Sequence, residues 1–166
     1  MRERLTEKDV EKIKEEIEYR KVVVRKRELE AVKEARAHGD LSENFEYKAA
    51  KQDKNKNESR IRYLEKMLKQ AIIVGADSAA DEVGVNDYVE VYYPEDKETE
   101  NYHLVTSIRG NSLKGKISIE SPLGKAIIGK KVGDTVKISV GQGAYPVVIK
   151  KIKKNYSEEE DEIRGF

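Results

Sequence analysis

Two carboxylates stand close together in a short polar segment that interrupts a long charged sequence. Asp40 directly follows Gly39, and Glu43 lies three residues further along the chain. Two carboxylates one helical turn apart can share a divalent cation such as Mg²⁺, but a partner must complete the shell because they supply few ligands. The same spacing fits a capping box, in which Asp40 is the N-cap and Glu43 the third helical residue. Spacing alone leaves both interpretations open.

The sequence on either side of this segment predicts two long helices. No Pro or Gly lies between Thr6, a predicted N-cap, and His38, and Gly39 fits the position after a helix, where a positive φ is needed. About thirty helical residues would form a rod of roughly 45 Å. A narrow apolar stripe, typical of a coiled-coil seam, comprises Val10, Ile13, Ile17, Val24, Ala31 and Ala35.

The second helix is predicted from about Leu41 to Gln70, and its seam is polar in the middle. The seam positions are Tyr47, Ala50, Lys54, Asn57, Ile61, Leu64, Leu68 and Ala71. We therefore expect a firmly packed base and a middle that is held less well. Arg20 and Arg27 interrupt the first seam, and we expect them to reach solvent or to pair across the hairpin.

Composition excludes several classes of protein. Charged residues make up 39% of the 166 residues and the net charge is only +1, which argues against a protein that simply coats nucleic acid. With no Cys and two His, disulfides are excluded and a structural zinc site is disfavoured. No apolar run approaches the ~20 residues that span a membrane, and the start of the chain lacks a signal-peptide pattern. We expect a cytoplasmic protein.

The second half of the chain predicts a different domain. We predict strands at 88–93, 102–108, 116–119, 136–140 and 146–152, with a short helix that starts at Ser121 and Pro122 and stops at Gly129. The predicted class is α+β: a two-helix hairpin over residues 1–75, a small antiparallel sheet domain over 76–155, and an acidic, disordered tail over 156–166.

Two blocks of this sequence resemble the bacterial GreA/GreB transcript cleavage factors. Residues 35–51 resemble the family's hairpin tip, and residues 117–134 resemble its C-terminal signature. The resemblance implies an FKBP-like C-terminal domain. It also implies a hairpin that enters the secondary channel of bacterial RNA polymerase, where the RNA 3′ end is extruded when the enzyme backtracks.

The resemblance further implies roles for individual residues. Asp40 and Glu43 would help to bind an Mg²⁺ ion shared with the polymerase active site, so the factor, expected to be a monomer, would not be an enzyme by itself. Arg36 and Lys51 match basic positions that face the extruded RNA, although solvated helix charges would look the same. The remaining matches are tip-support residues (Gly39, Ser42, Asn44, Tyr47) and a polymerase-docking segment (Ser121, Pro122, Leu123), which equally fits plain helix initiation.

The chain departs from the family pattern in three places. Phe45 replaces a small residue and Lys48 replaces a common His, while Lys56 and Asn57 replace an apolar pair, which should loosen the seam. Two other functions stay open: a regulator that occupies the same channel but inhibits, and a structural coiled-coil adaptor in which the tip acids are only caps. The adaptor leaves the second block unexplained.

Overall fold

The computed structural model describes residues 2–39, 44–75, 78–155, 157–158 and 162–165. These residues form two compact units. The first unit is essentially Val10–Ala71, and the second combines Glu3–Asp9 with Ile72–Gly165. The predicted α+β class, with a helical hairpin followed by a sheet domain, is confirmed. No helix among the described residues is both long and apolar enough to span a bilayer.

The first unit is an antiparallel helical hairpin whose seam buries the predicted apolar positions. Its elements are α1 (Glu7–Tyr19), a π-helical segment (Arg20–Val24), α2 (Arg25–Arg36) and α3 (Phe45–Gln70). Several seam residues are at least nine-tenths buried. They are Ile13, Ile17, Val24 and Ala35 from the first helical arm of the hairpin, and Ile61, Leu64 and Met67 from α3. The 3-4 spacing of apolar residues therefore predicts the seam in part. Val10, Ala31 and Leu68 are only half-buried, and Met67 is buried instead of Leu68.

The polar middle of the seam is hydrogen-bonded across the hairpin. In the π segment the carbonyl of Arg20 accepts from the backbone N–H of Arg25 and from Asn57 Nδ2 at 3.3 Å. The Arg20 guanidinium donates to Asn57 Oδ1 at 3.1 Å, so the prediction that Arg20 pairs across the hairpin is confirmed. Asn57 is only 4% exposed, and its amide replaces apolar packing with paired polar groups. Arg27 differs, because its contact is with Glu28 of its own helix at 3.9 Å.

The start of α3 differs from the prediction. The helix begins at Phe45, and its N-cap is Asn44, with extended backbone angles (φ −86°, ψ 96°) and a side chain that accepts from the Tyr47 N–H. Asn caps a helix as well as Asp does, so Asn44 is the N-cap of α3, and the capping box predicted for Asp40 and Glu43 lies outside the described residues. The predicted helix start near Leu41 is therefore wrong, while its end at Gln70 is confirmed.

The second unit is a curled five-stranded sheet with one short helix. The strands are β3 (Tyr88–Tyr93), β4 (Glu98–Val105), β5 (Lys116–Ser118), β6 (Thr135–Val140) and β7 (Gly143–Lys153), in the order β5-β4-β3-β7-β6. The helix, α4 (Pro122–Ile127), lies near β5 and β6. The core comprises buried valines, isoleucines and a leucine from the sheet, α4 and the loops, among them Val91, Leu104, Ile127, Ile138 and Ile149.

The sheet is mixed rather than fully antiparallel. Three of its pairs are antiparallel, but β4 and β5 run parallel, with His103 opposite Lys116. Two 3₁₀ turns, Ser107–Arg109 and Ser112–Lys114, fill the connection between these strands. This connection carries the chain back alongside β4, so β5 runs parallel to β4. Because the first turn begins at Ser107, β4 ends at Val105 and not at residue 108 as predicted.

The N-terminal segment belongs to the second unit. Strand β1 (Arg4–Leu5) pairs in parallel with β2 (Ile72–Ile73). Thr6 is the N-cap of α1, as predicted: its hydroxyl accepts from the Asp9 N–H at 3.2 Å, and Asp9 Oδ2 accepts from the Thr6 N–H at 3.0 Å. These reciprocal bonds form a capping box.

The described part of the acidic tail packs against the second unit. Glu158 is 6% exposed and lies 2.8 Å from the guanidinium of Arg109. The backbone N–H of Arg164 donates to the carbonyl of Ile108 at 2.7 Å. These contacts concern only the described residues of the tail, and the expectation of a disordered tail over 156–166 stays a prediction.

Candidate functional site at the hairpin turn

The two ends of the hairpin turn are tied together by one side chain. Asn44 Nδ2 donates to the carbonyl of Ala35, near the end of α2, at 2.7 Å. The Oδ1 atom of the same amide accepts from the Tyr47 N–H at 3.0 Å. Gly39 has φ +125°, a conformation that L-residues with a side chain rarely adopt. These local features fix where the chain leaves one helix and enters the next.

Tyr47 brings the two predicted basic residues together. The guanidinium of Arg36 lies 5.5 Å from the centre of the Tyr47 ring. A hydrogen bond from Arg36 holds the pKa of the Tyr47 hydroxyl below its ordinary value, and the charges of Lys51 and Lys54 act in the same direction. Arg36 of α2 and Lys51 of α3 therefore share one neighbourhood, in which positive charge is concentrated.

Further charged and apolar groups flank the start of α3. His38 Nδ1 lies 3.1 Å from Glu46 Oε2. Phe45 is 79% exposed, and the ammonium of Lys48 lies 5.5 Å from its ring centre. The two departures from the family pattern at residues 45 and 48 therefore contact each other, and an exposed ring is available for stacking or packing against a partner.

The predicted acidic residues lie in the one part of the hairpin that is not described. Asp40, Ser42 and Glu43 are outside the described residues, so their capping and metal-binding roles stay predictions. Within the described ranges no group of three or more His, Cys, Asp or Glu side chains could hold a metal ion.

The predicted docking segment begins a helix, as its sequence indicates. Ser121 Oγ accepts from the Gly124 N–H at 3.0 Å and donates to the Ser118 carbonyl at 2.7 Å. A Cβ on Gly124 would lie 2.0 Å from the Ser118 carbonyl oxygen, so only Gly fits there. Pro122 is exposed, whereas Leu123 packs against the core. The helix-initiation interpretation is confirmed, and docking stays a prediction.

Sequence reasoning missed the N-cap role of Asn44 and the His38–Glu46 pair. Asn44 was assigned only to support of the tip. The signal was present, because Asn is a preferred N-cap and an acidic residue follows in the first turn of the helix. Asp40 and Glu43 also have capping-box spacing, so the sequence offers two competing caps in this segment.

Comparison with known proteins identifies the family. Residues 3–73 match the N-terminal domain of the GreA/GreB transcription elongation factors, and residues 77–154 match the C-terminal domain. Transcription elongation factor GreA of Thermoanaerobacter pseudethanolicus is 43% identical over 90% of this chain and 96% of its own length. The same factor from Streptococcus sanguinis is 41% identical over 90% of this chain and 94% of its own length.

Among solved structures, the transcription factor Gfh1 is 27% identical, with a TM-score of 0.46 over 92% of this chain and 97% of the other. The assignment rests on the sequence matches, which cover both units in the same order. This chain belongs to the GreA/GreB family of transcription elongation factors.

Proposed function

We propose that this protein binds the secondary channel of bacterial RNA polymerase and stimulates the polymerase to cleave backtracked RNA. In this role it is an accessory factor and not an enzyme by itself. The hairpin carries Asp40 and Glu43 to the polymerase active site, which supplies the rest of the catalytic machinery. Rescue of arrested elongation complexes follows, because cleavage gives the RNA a new 3′ end at the active site.

One observation carries this proposal most directly. Asn44 bonds back to Ala35 at 2.7 Å, so the segment with both acids joins two helix ends that are held together. Next to it, Arg36 and Lys51 lie around Tyr47. Two carboxylates in the segment that joins these helix ends, together with the cations of Arg36 and Lys51, would suit a metal and a phosphate backbone, because the cations offset the charge of the phosphates.

Asp40 and Glu43 would hold Mg²⁺ jointly with carboxylates of the polymerase. When bound, such an ion polarises a phosphoryl oxygen and lowers the pKa of water. The carboxylates of this chain contribute ligands and orientation, while Arg36 and Lys51 position the extruded RNA. Ser121, Pro122 and Leu123 would meet the rim of the channel, where exposed Pro122 is the most accessible of the three.

A cleavage assay tests the proposal. Backtracked elongation complexes with RNA labelled at the 3′ end are mixed with the protein and Mg²⁺. Release of short labelled fragments is the expected result. Binding without release would instead indicate the inhibitory regulator, and absence of binding would overturn both functions.

Two substitutions test the acids. We expect Asp40→Asn and Glu43→Gln each to lower the stimulated cleavage rate by at least about tenfold, or roughly 1.4 kcal/mol of barrier. Binding to the polymerase should stay within about twofold, because neither change alters the helices. Asp53→Asn, an exposed acid on α3, is the matched control and should behave like wild type. Parallel loss of binding, cleavage and helical circular dichroism would indicate that the acids are only caps.

A further inference from the structure

A group of tyrosines gathers at one end of the sheet, away from the hairpin turn in sequence. The hydroxyls of Tyr93 and Tyr102 are 2.5 Å apart. The rings of Tyr93 and Tyr145 are stacked, with centroids 6.0 Å apart and planes at 27°. All three side chains are half-buried against the edge of the core. We call these three residues the tyrosine cluster.

The strand register explains why the cluster forms. Val89 faces Tyr102 and Tyr93 faces Glu98 across β3 and β4, and directly opposed residues lie on the same face of a sheet. Val89 is buried in the core, so the cluster continues the core face beyond the last buried residues. Where the apolar packing stops, the rings of Tyr93 and Tyr145 border a cavity of about 360 Å³.

Two carboxylates line this cavity, and two more lie on the same face of the sheet. Glu95 and Asp96 line it together with Tyr93, Tyr145 and Pro146. Glu98 and Glu100 lie on the same face, and the charge of Glu100 contributes to a raised pKa of Tyr93, for which burial is the main cause. Lys97 lies in the same turn, with φ +54°. Within the described ranges, none of the four acidic side chains has a hydrogen bond or an ion pair.

The opposite face of the sheet offers an internal comparison. There, Tyr92 has the ammonium of Lys150 at 5.3 Å from its ring centre, and Tyr88 has that of Lys153 at 5.9 Å. Among the described residues, the tyrosine cluster has no such cation. Tyr88 and Tyr92 on the opposite face therefore each have a lysine over the ring, whereas the tyrosine cluster has acidic residues nearby and no lysine over its rings among the described residues.

We propose that this cavity is a binding site for an arginine or lysine side chain of a protein partner. The ring faces attract a cation, the carboxylates pair with it, and the cavity has room for one long side chain. A nucleic acid is disfavoured by the four carboxylates. A metal ion is disfavoured because no three ligating groups converge among the described residues. The site does not depend on the cleavage function, since it uses neither the turn acids nor the polymerase.

A titration with matched peptides tests this site on the full chain. The probes are acetyl-Leu-Arg-Leu-amide and the same peptide with citrulline, which is a neutral analogue of arginine. Amide shifts of residues 93–102 and 143–147 are followed by ¹H–¹⁵N NMR. We expect the arginine peptide to bind at least about fivefold more tightly than the citrulline peptide, with its shifts confined to these two segments.

Variants separate the rings from the charges. Tyr145→Leu should weaken binding of the arginine peptide about fivefold, whereas Tyr145→Phe, which keeps the ring, should not. The double change Glu95→Gln with Asp96→Asn should weaken binding even if Tyr145→Leu fails to fold. Tyr92→Leu, on the opposite face of the sheet, is the control and should leave binding unchanged.

Three results would overturn the proposal. The first is equal affinity for the arginine and citrulline peptides, since the site would then not recognise charge. The second is the absence of shifts near the tyrosine cluster at millimolar peptide. The third is tighter binding of spermidine than of the peptide, because the site would then take a free polyamine rather than a protein side chain.

Discussion

At the scale of single residues, Tyr47 reports on the charge that surrounds the hairpin turn. The guanidinium of Arg36 lies 5.5 Å from its ring centre. Hydrogen bonding with Arg36, helped by the charges of Lys51 and Lys54, keeps the pKa of Tyr47 below its ordinary value. A cation stabilises the phenolate, so the direction follows from charge alone. The same positive charge that favours the phenolate would favour an RNA phosphate placed beside it.

Arg36→Met should raise the pKa of Tyr47 toward its ordinary value, because the largest stabilising contact of the phenolate is removed. Titration of the Tyr47 ring carbon signal by NMR measures this pKa directly. The same variant should slow stimulated cleavage if Arg36 contacts the extruded RNA. Lys69→Met, at the other end of α3, is the control and should shift neither quantity. An unchanged pKa in Arg36→Met would contradict the assignment.

The role of a residue was predictable from the sequence where only one nearby residue could make the hydrogen bond that a helix end requires. Thr6 and Ser121 were identified as caps because a hydroxyl before a helix start has few other uses there. Asn44 was not, because Asp40 offered an equally good cap four residues earlier, and sequence does not rank two caps in one loop. Burial of Glu158 was also missed, since an acidic run indicates solvent unless its buried partner, Arg109, is known.

At the scale of elements, the hairpin seam shows how a polar middle is accommodated. In the π segment the carbonyl of Arg20, already bonded to the Arg25 N–H, also accepts from Asn57 of α3. The same Asn57 accepts from the Arg20 guanidinium. A π segment holds one extra residue per turn and so rotates the residues after it around the helix axis. A search for apolar residues at fixed spacing does not detect this rotation. The sequence therefore predicted the seam but not the interruption within it.

Asn57→Leu should destabilise the protein by about 1–3 kcal/mol, because the half-buried guanidinium and carbonyl of Arg20 lose their cross-hairpin partner. Urea unfolding followed by helical circular dichroism gives this free energy. Asn55→Ala, at an exposed position of the same helix, should stay within about 0.5 kcal/mol of wild type. If Asn57→Leu were as stable as wild type or more stable, the apolar gain would outweigh the hydrogen bonds.

Glu16 of α1 pairs with Arg60 of α3 across the same seam, and this pair makes the stability of the hairpin depend on pH. Burial opposes ionisation of Glu16, but hydrogen bonds from Arg60 and Arg20 outweigh it and lower the pKa below the ordinary value of 4.5. Both bonds are 2.8 Å long. Because the pKa is lower in the folded state, the stability that Glu16 contributes is present above about pH 4.5 and is lost as the pH falls through the folded value.

Glu16→Gln should therefore cost about 1–2 kcal/mol at pH 7, in line with the loss of charge-assisted hydrogen bonds. The difference from wild type should shrink as the pH is lowered into the acid range, where wild-type Glu16 is also neutral. Urea unfolding at a series of pH values tests both statements. Glu15→Gln, an exposed neighbour, controls for general charge effects. A difference independent of pH would mean that Glu16 acts through packing alone.

At the scale of the whole molecule, the second unit is assembled from distant parts of the chain. Arg109, which is 1% exposed, donates to Asp9 at 2.6 Å and lies 2.8 Å from Glu158. Thr106 also donates to Asp9 at 2.6 Å, and Thr6 donates to Glu158 at 2.8 Å. The two ends of the sequence thus meet at one buried arginine, a long-range arrangement that no local pattern encodes.

A double-mutant cycle tests whether the two carboxylates act on Arg109 together. Asp9→Asn should cost about 3–5 kcal/mol, since it leaves a buried cation with less compensation, and Glu158→Gln about 1–3 kcal/mol. The double variant should lose more than the sum, because either carboxylate alone still offsets part of the charge of Arg109, whereas neither amide does. Glu162→Gln, an exposed residue of the same tail, should be neutral. Additive losses, measured by urea unfolding of the sheet unit, would mean that each carboxylate acts through its own threonine contacts and that Arg109 does not couple the two ends of the chain.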